Sequence, residues 1–236
     1  MDPFRTFTDK IFDLLDGMPS KRFSYSQKNA AALCKSELIL LKDSVFELGG
    51  GNLPCVGLSV IANGRKLNNE IVVIGKDLNE LSCDTPFAKI VLVEAEVPQD
   101  DEQELYKAVK EIEFVKYRTS VSGFMSRASA IDHREQVRVG RSALKHGLTF
   151  EKVGNALISA YLDIPFVKAA TVVFITSDSF DYASLYTCAD KISEVTKALN
   201  HIFDNVLVDC KNCNLKQICD EVEGMRELHV NMAKKQ

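Results

Sequence analysis

Thr171-Val172-Val173-Phe174-Ile175-Thr176 carries no charge and is rich in β-branched side chains, the composition of a buried strand. A helical stretch from about Tyr182 to Phe203 follows it. Upstream lie further β-rich runs, at Ile39 to Leu48, Val56 to Ala62, Ile71 to Ile74 and Ile90 to Val97. Gly49-Gly50-Gly51-Asn52, Asn63-Gly64 and Gly75 punctuate them, which reads as strands joined by turns. Strands, then helices, then another strand and helix predict an α/β or α+β body, a single compact unit of mixed sheet with flanking helices.

Around this centre, Phe4, Phe7, Ile11, Phe12, Leu14 and Leu15 recur at helical spacing after Asp2-Pro3, and a second short helix is expected at Ala30 to Lys35. Beyond Pro98, Asp100-Asp101-Glu102 opens a helix with charges suited to its dipole. Helical spacing is read on to about Asp163, broken near Ser120-Val121-Ser122-Gly123 and at Gly147, with Thr149 capping a helix that holds Val153, Leu157 and Tyr161. The expected organisation is an N-terminal helical segment over 1–36, an α/β domain over 37–205, and a Cys-containing tail over 206–236. An extended piece at Asn205 to Val208 leads into the cysteines, and a helix is expected from Asp220. No linker rich in Pro, Gly or Ser divides residues 38 to 200, so one body is expected there.

With 236 residues, 46% hydrophobic and 26% charged, the chain can hold a substantial core. A net charge of -4 argues against general nucleic-acid binding. No apolar run approaches the roughly 18 residues of a membrane span, and the N-terminus lacks the apolar stretch of a signal peptide. Seven cysteines in a chain too large to need staples point to a reducing cytoplasm.

The clearest chemistry lies in Cys210-Lys211-Asn212-Cys213-Asn214-Leu215-Lys216-Gln217-Ile218-Cys219. Thiolates so spaced can converge on one soft metal, and the spacing suits iron-sulfur ligation better than zinc, which usually shows a second Cys or His pair. A four-iron four-sulfur cluster needs a fourth ligand. Cys188 is expected to supply it, on a helix that ends just before the tail; Cys34, Cys55 and Cys83 are the other cysteines available. Zinc is the alternative metal, and three reduced thiols serving as small buried hydrophobes are the plainer reading.

A second candidate is basic. If a helix runs from about Ile131 to His146, then Arg134, Arg138, Arg141 and Lys145 fall on one face, a stripe suited to a pyrophosphate. A solvated face paired with carboxylates explains the same pattern. Gly49-Gly50-Gly51 lacks the Lys-Ser/Thr of a phosphate loop and reads as a tight turn; His133, His146, His201 and His229 share no metal-ligand spacing. No nucleophile and base are arranged as in a hydrolase.

Three segments carry a resemblance: Ile74-Gly75-Lys76-Asp77-Leu78-Asn79-Glu80-Leu81, the stretch from Arg138-Val139-Gly140-Arg141 through Thr149-Phe150-Glu151-Lys152 to Leu157, and Val172 to Thr176. In this order the chain resembles the α/β domain of acetyl-CoA synthase, the nickel enzyme of the carbon monoxide dehydrogenase/acetyl-CoA synthase complex, over about residues 38 to 200. The resemblance implies basic residues offered to coenzyme A and a face for a corrinoid or carbon monoxide dehydrogenase-type protein. The family's nickel site uses Cys-Gly-Cys, which this sequence does not contain, and a family tryptophan beside the coenzyme site is replaced near Gln136. The expected function is therefore an iron-sulfur protein with an accessory, electron-transfer or partner-binding role in anaerobic one-carbon metabolism. An acyl or methyl transferase subunit completed by another chain, and a zinc-stabilised interaction module, are the alternatives. Fourth metal ligand, partner and homo-oligomerisation stay open.

Overall fold

The computed structural model describes residues 2–97, 102–129, 132–203, 213–222 and 224–228. In chain order its elements are α1 (Arg5–Leu15), β1 (Ser20–Ser24), β2 (Leu33–Cys34), β3 (Ser44–Leu48), β4 (Cys55–Ile61), β5 (Glu70–Ile74), β6 (Phe87–Ala95) and α2 (Glu102–Arg118). There follow β7 (Ser120–Val121), β8 (Phe124–Ala128), β9 (Glu135–Gly140), α3 (Arg141–Lys145), α4 (Phe150–Leu162), β10 (Val167–Ile175), α5 (Tyr182–Phe203) and α6 (Lys216–Glu221). Two five-stranded sheets result, in the orders β1-β5-β10-β6-β4 and β2-β7-β8-β9-β3. The first is mixed: β10 runs parallel to β5 and antiparallel to β6, and β4 is parallel to β6. The second is antiparallel throughout. The α/β expectation holds.

Strand β10 sits in the middle of the mixed sheet, which explains its unbroken apolar run: Val172 pairs with Ile71 on one side and Val91 on the other, and all three are fully buried. Helix α4 covers one face through Gly154, whose missing side chain lets the helix sit on Ile71; a Cβ there would lie 2.4 Å from Ile71 Cγ1. Four phenylalanines join the layers. Phe150 of α4 stacks on Phe174 of β10 at 4.5 Å, Phe87 of β6 lies 6.2 Å from Phe150, and Phe124 of β8 meets all three edge-on. Each such pair adds about 0.5–1.5 kcal/mol beyond the area it buries. Phe4, Phe7 and Ile11 of the N-terminal segment belong to the same core.

The three segments of the resemblance meet physically. Asp77 caps the short 3-10 turn Leu78–Glu80 in a capping box, and its Oδ1 also accepts the backbone N–H of Phe150 at 2.8 Å, tying the turn to the start of α4. Thr176 Oγ1 donates to Lys76 O at 2.7 Å. Gly75 takes φ 104°, and a Cβ there would stand 2.7 Å from Ser177 N, so glycine is required where β5 leaves the sheet beside β10.

Several expectations are corrected. The helix read from Ile131 to His146 is instead strand β9 followed by the single turn of α3. Burial alternates along Glu135, Gln136, Val137, Arg138, Val139 and Gly140, a period of two. Arginines four apart share a face in a strand as well as in a helix, which is why their spacing misled. The expected helix at Ala30 to Lys35 is a 3-10 turn at Gln27–Asn29 followed by β2, because buried Asn155 of α4 accepts the N–H of Ser26 at 2.7 Å and fixes that segment as a strap. The segment 1–36 is also more than helical, since β1 forms an edge of the mixed sheet against β5. The tail helix expected from Asp220 is split: α6 starts earlier and stops at Glu221, and residues 225–228 are helical again. The extended piece at Asn205 to Val208 lies outside the described residues. None of the described helices is long and apolar enough to cross a membrane.

Candidate anion-binding site

The four basic residues expected on one stripe divide into two pairs. Arg134 directs Nη2 at the carbonyls of Gly49 and Gly51, at 3.1 and 3.0 Å, and so holds the glycine turn closed. Gly49 and Gly51 have φ 65° and 57°, and their carbonyls face a guanidinium, the reverse of a phosphate loop. Arg138 pairs across the sheet with Glu47, its register partner on β3, at 2.5 Å, and donates to Ile39 O at 3.3 Å. Both guanidinium groups are thus engaged by partners within the protein.

Arg141 and Lys145 behave differently. Both lie on α3, are exposed, and line an open cleft of about 830 Å³. The opposite wall is the strap 28–32, which brings in Lys28, and the floor is formed by Gly123, Gly140 and Leu148. The strap is fixed to α4 by Asn155, by Asn29 Nδ2 donating to Glu151 Oε1 at 2.7 Å, and by the N–H of Ala31 on Lys152 O at 2.9 Å. Gly123 permits the close floor: its φ is 77°, and a Cβ would collide with Ala143 of α3. Lys152 and His146 also line the cleft, with Lys152 Nζ donating to Gly147 O at 2.7 Å and His146 Nδ1 to Ser142 O at 2.8 Å. Glu37 and Asp43 are its carboxylates, and Glu37 already accepts the N–H of Gly123 at 2.6 Å. Among the described residues Lys28, Arg141 and Lys145 make no ion pair. The cleft therefore presents unneutralised positive charge around a space within the about 300–1,000 Å³ typical of small-molecule sites. Lys28 went unnoticed in the sequence because nothing local links it to Arg141.

Of the metal candidates, Cys210 lies outside the described residues. Cys213 and Cys219 are half-buried, Cys213 just before α6 and Cys219 within it; α6 packs on α5, and Cys213 Sγ accepts the N–H of Leu215 at 3.4 Å. Cys188 is buried on the first half of α5, far along the chain from that helix's end at Phe203, and burial pushes its thiol up while nearby Lys10 opposes this. Among the described residues no three His, Cys, Asp or Glu side chains are placed to hold a metal, so Cys188, Cys213 and Cys219 are not brought together. Cys55, buried against the glycine turn, has its thiol pushed up to about 11 by desolvation. Cys34 lies on β2 and Cys83 is exposed. His133 is held below its usual range by burial, with Asp190 at 3.9 Å pulling the other way.

Residues 28–179 match the family described as CO dehydrogenase/acetyl-CoA synthase complex beta subunit. The chain belongs to this family. The match begins at Lys28 and takes in both walls of the cleft, the glycine turn and all three segments that meet around Lys76 and Asp77. It ends at Ser179, before the tail cysteines. No curated protein matches the chain.

Proposed function

We propose that this beta-subunit relative is an accessory, partner-binding protein of anaerobic one-carbon metabolism that holds coenzyme A in the cleft between α3 and the strap. The observation carrying this reading is the convergence of Arg141, Lys145 and Lys28 on one open cavity. Guanidinium and ammonium groups would engage the phosphates, and the pantetheine arm would lie along the apolar strap at Ala30 to Ala32. The family's place in a complex supports a carbon monoxide dehydrogenase-type partner, with a corrinoid protein the other candidate. The six described cysteines are all free, in keeping with a reducing cytoplasm. Calorimetric titration of the intact chain with coenzyme A should show one site, weakened by raising salt because the charges are exposed. Pantetheine, without phosphates, should not compete. Tight binding of pantetheine, or no binding of coenzyme A at low salt, would refute the cleft as a phosphate site.

The tail carries a second proposal: Cys210, Cys213 and Cys219 supply thiolates to a four-iron four-sulfur cluster, giving the protein an electron-transfer capacity. Its support is the thiol spacing and the half-burial of Cys213 and Cys219. A bound cluster would shuttle one electron. Protein purified and reconstituted without oxygen should contain iron and sulfide, and Cys213→Ser should lose both. A colourless preparation with zinc instead would replace the cluster by a structural zinc site.

A further inference from the structure

A second cavity, of about 290 Å³, lies on the other side of the molecule from the α4 face, between the mixed sheet and the end of α1. Its floor follows from strand register. Val72 pairs with Val173, and Leu92 pairs with Thr171 one step along, so these side chains share a face of β5, β10 and β6. All are buried and apolar apart from the Thr171 hydroxyl, which is occupied by donating to Asn68 O at 2.7 Å. The mouth is basic. Arg22 is paired with Glu70 at 3.1 Å, and Arg65 lies over the Phe12 ring at 4.4 Å while pairing with Asp9 at 3.7 Å. Lys66, at the same mouth, is exposed and makes no ion pair among the described residues.

We propose that this cavity binds a medium-chain monocarboxylate, with the alkyl chain on the Val72, Leu92 and Val173 floor and the carboxylate at Lys66. An apolar chain gains by displacing water from such a floor, and a single headgroup is favoured because the other two cations already have partners. A cavity of about 290 Å³ has room for a chain of the length of octanoate. The site shares no residue with the coenzyme cleft.

Titration of the intact chain with octanoate tests it. Octanoate should bind, hexanoate about tenfold more weakly for the loss of two buried methylenes, and octanol more weakly than octanoate. Lys66→Glu, on the surface and harmless to folding, should weaken octanoate about tenfold and leave coenzyme A affinity unchanged. Val173→Phe should abolish octanoate binding by filling the floor. The proposal is overturned if wild-type protein does not bind octanoate at millimolar concentration, if octanol binds as well, or if Lys66→Glu changes nothing.

Discussion

Lys89→Ala is expected to lower the unfolding free energy by about 3–5 kcal/mol, as much as truncating a core phenylalanine. Lys89 of β6 and Glu135 of β9 form an ion pair between the two sheets, with side chains only 5% and 2% exposed. Glu135 Oε1 accepts from both Lys89 and Ser126, while Oε2 is buried with no partner among the described residues. Gly57 makes room for that carboxylate, since a Cβ there would stand 2.3 Å from Oε2. Removing the ammonium leaves a buried charge opposed by one hydroxyl. Replacing both partners, as Lys89→Met with Glu135→Leu, removes the stranded charge and should recover most of the loss. Urea denaturation monitored by circular dichroism measures both variants. A loss below about 1 kcal/mol for Lys89→Ala would mean that water reaches the pair.

The second large effect concerns binding. Arg141→Ala with Lys145→Ala should weaken coenzyme A about 30-fold, allowing roughly 1 kcal/mol for each exposed charge contact. Lys28→Ala should weaken it further, because the strap faces α3 across the same cavity. None of the three contributes to the core, so thermal unfolding should be unchanged in these variants. The salt dependence should also flatten as each cation is removed.

The sequence announced the mixed sheet because its central strand is buried on both faces and needs no long-range information to be read. Thr149 and the helix it caps were legible for the same local reason: the Thr149 hydroxyl accepts the N–H of Lys152 at 3.3 Å. The second sheet was hidden. Its strands are short and carry arginines at spacings that fit helix and strand alike, and what settles them is the cross-strand pair Glu47 with Arg138, which joins residues far apart in the chain. The same limit governed the cleft. Arg141 and Lys145 were visible as charges, but their separation from Arg134 and Arg138 depends on the change from β9 to α3 at Gly140, and Lys28 reaches them through the hydrogen bonds of Asn155. The Asp77 link between two distant segments could be suspected from its 3-10 cap, yet its bond to Phe150 belongs to tertiary structure.

The central claim is that α3 and the strap, rather than the β9 arginines, form the anion site, and one paired titration tests it. Coenzyme A affinity is measured on Arg141→Ala/Lys145→Ala and on Arg134→Ala/Arg138→Ala, each confirmed folded by circular dichroism at the temperature used. The account predicts that the α3 pair loses about 30-fold in affinity while the β9 pair stays close to wild type and loses stability instead, since Arg134 and Arg138 are engaged with Gly49, Gly51 and Glu47. Wild-type affinity in the α3 variant together with a loss in the folded β9 variant would contradict it.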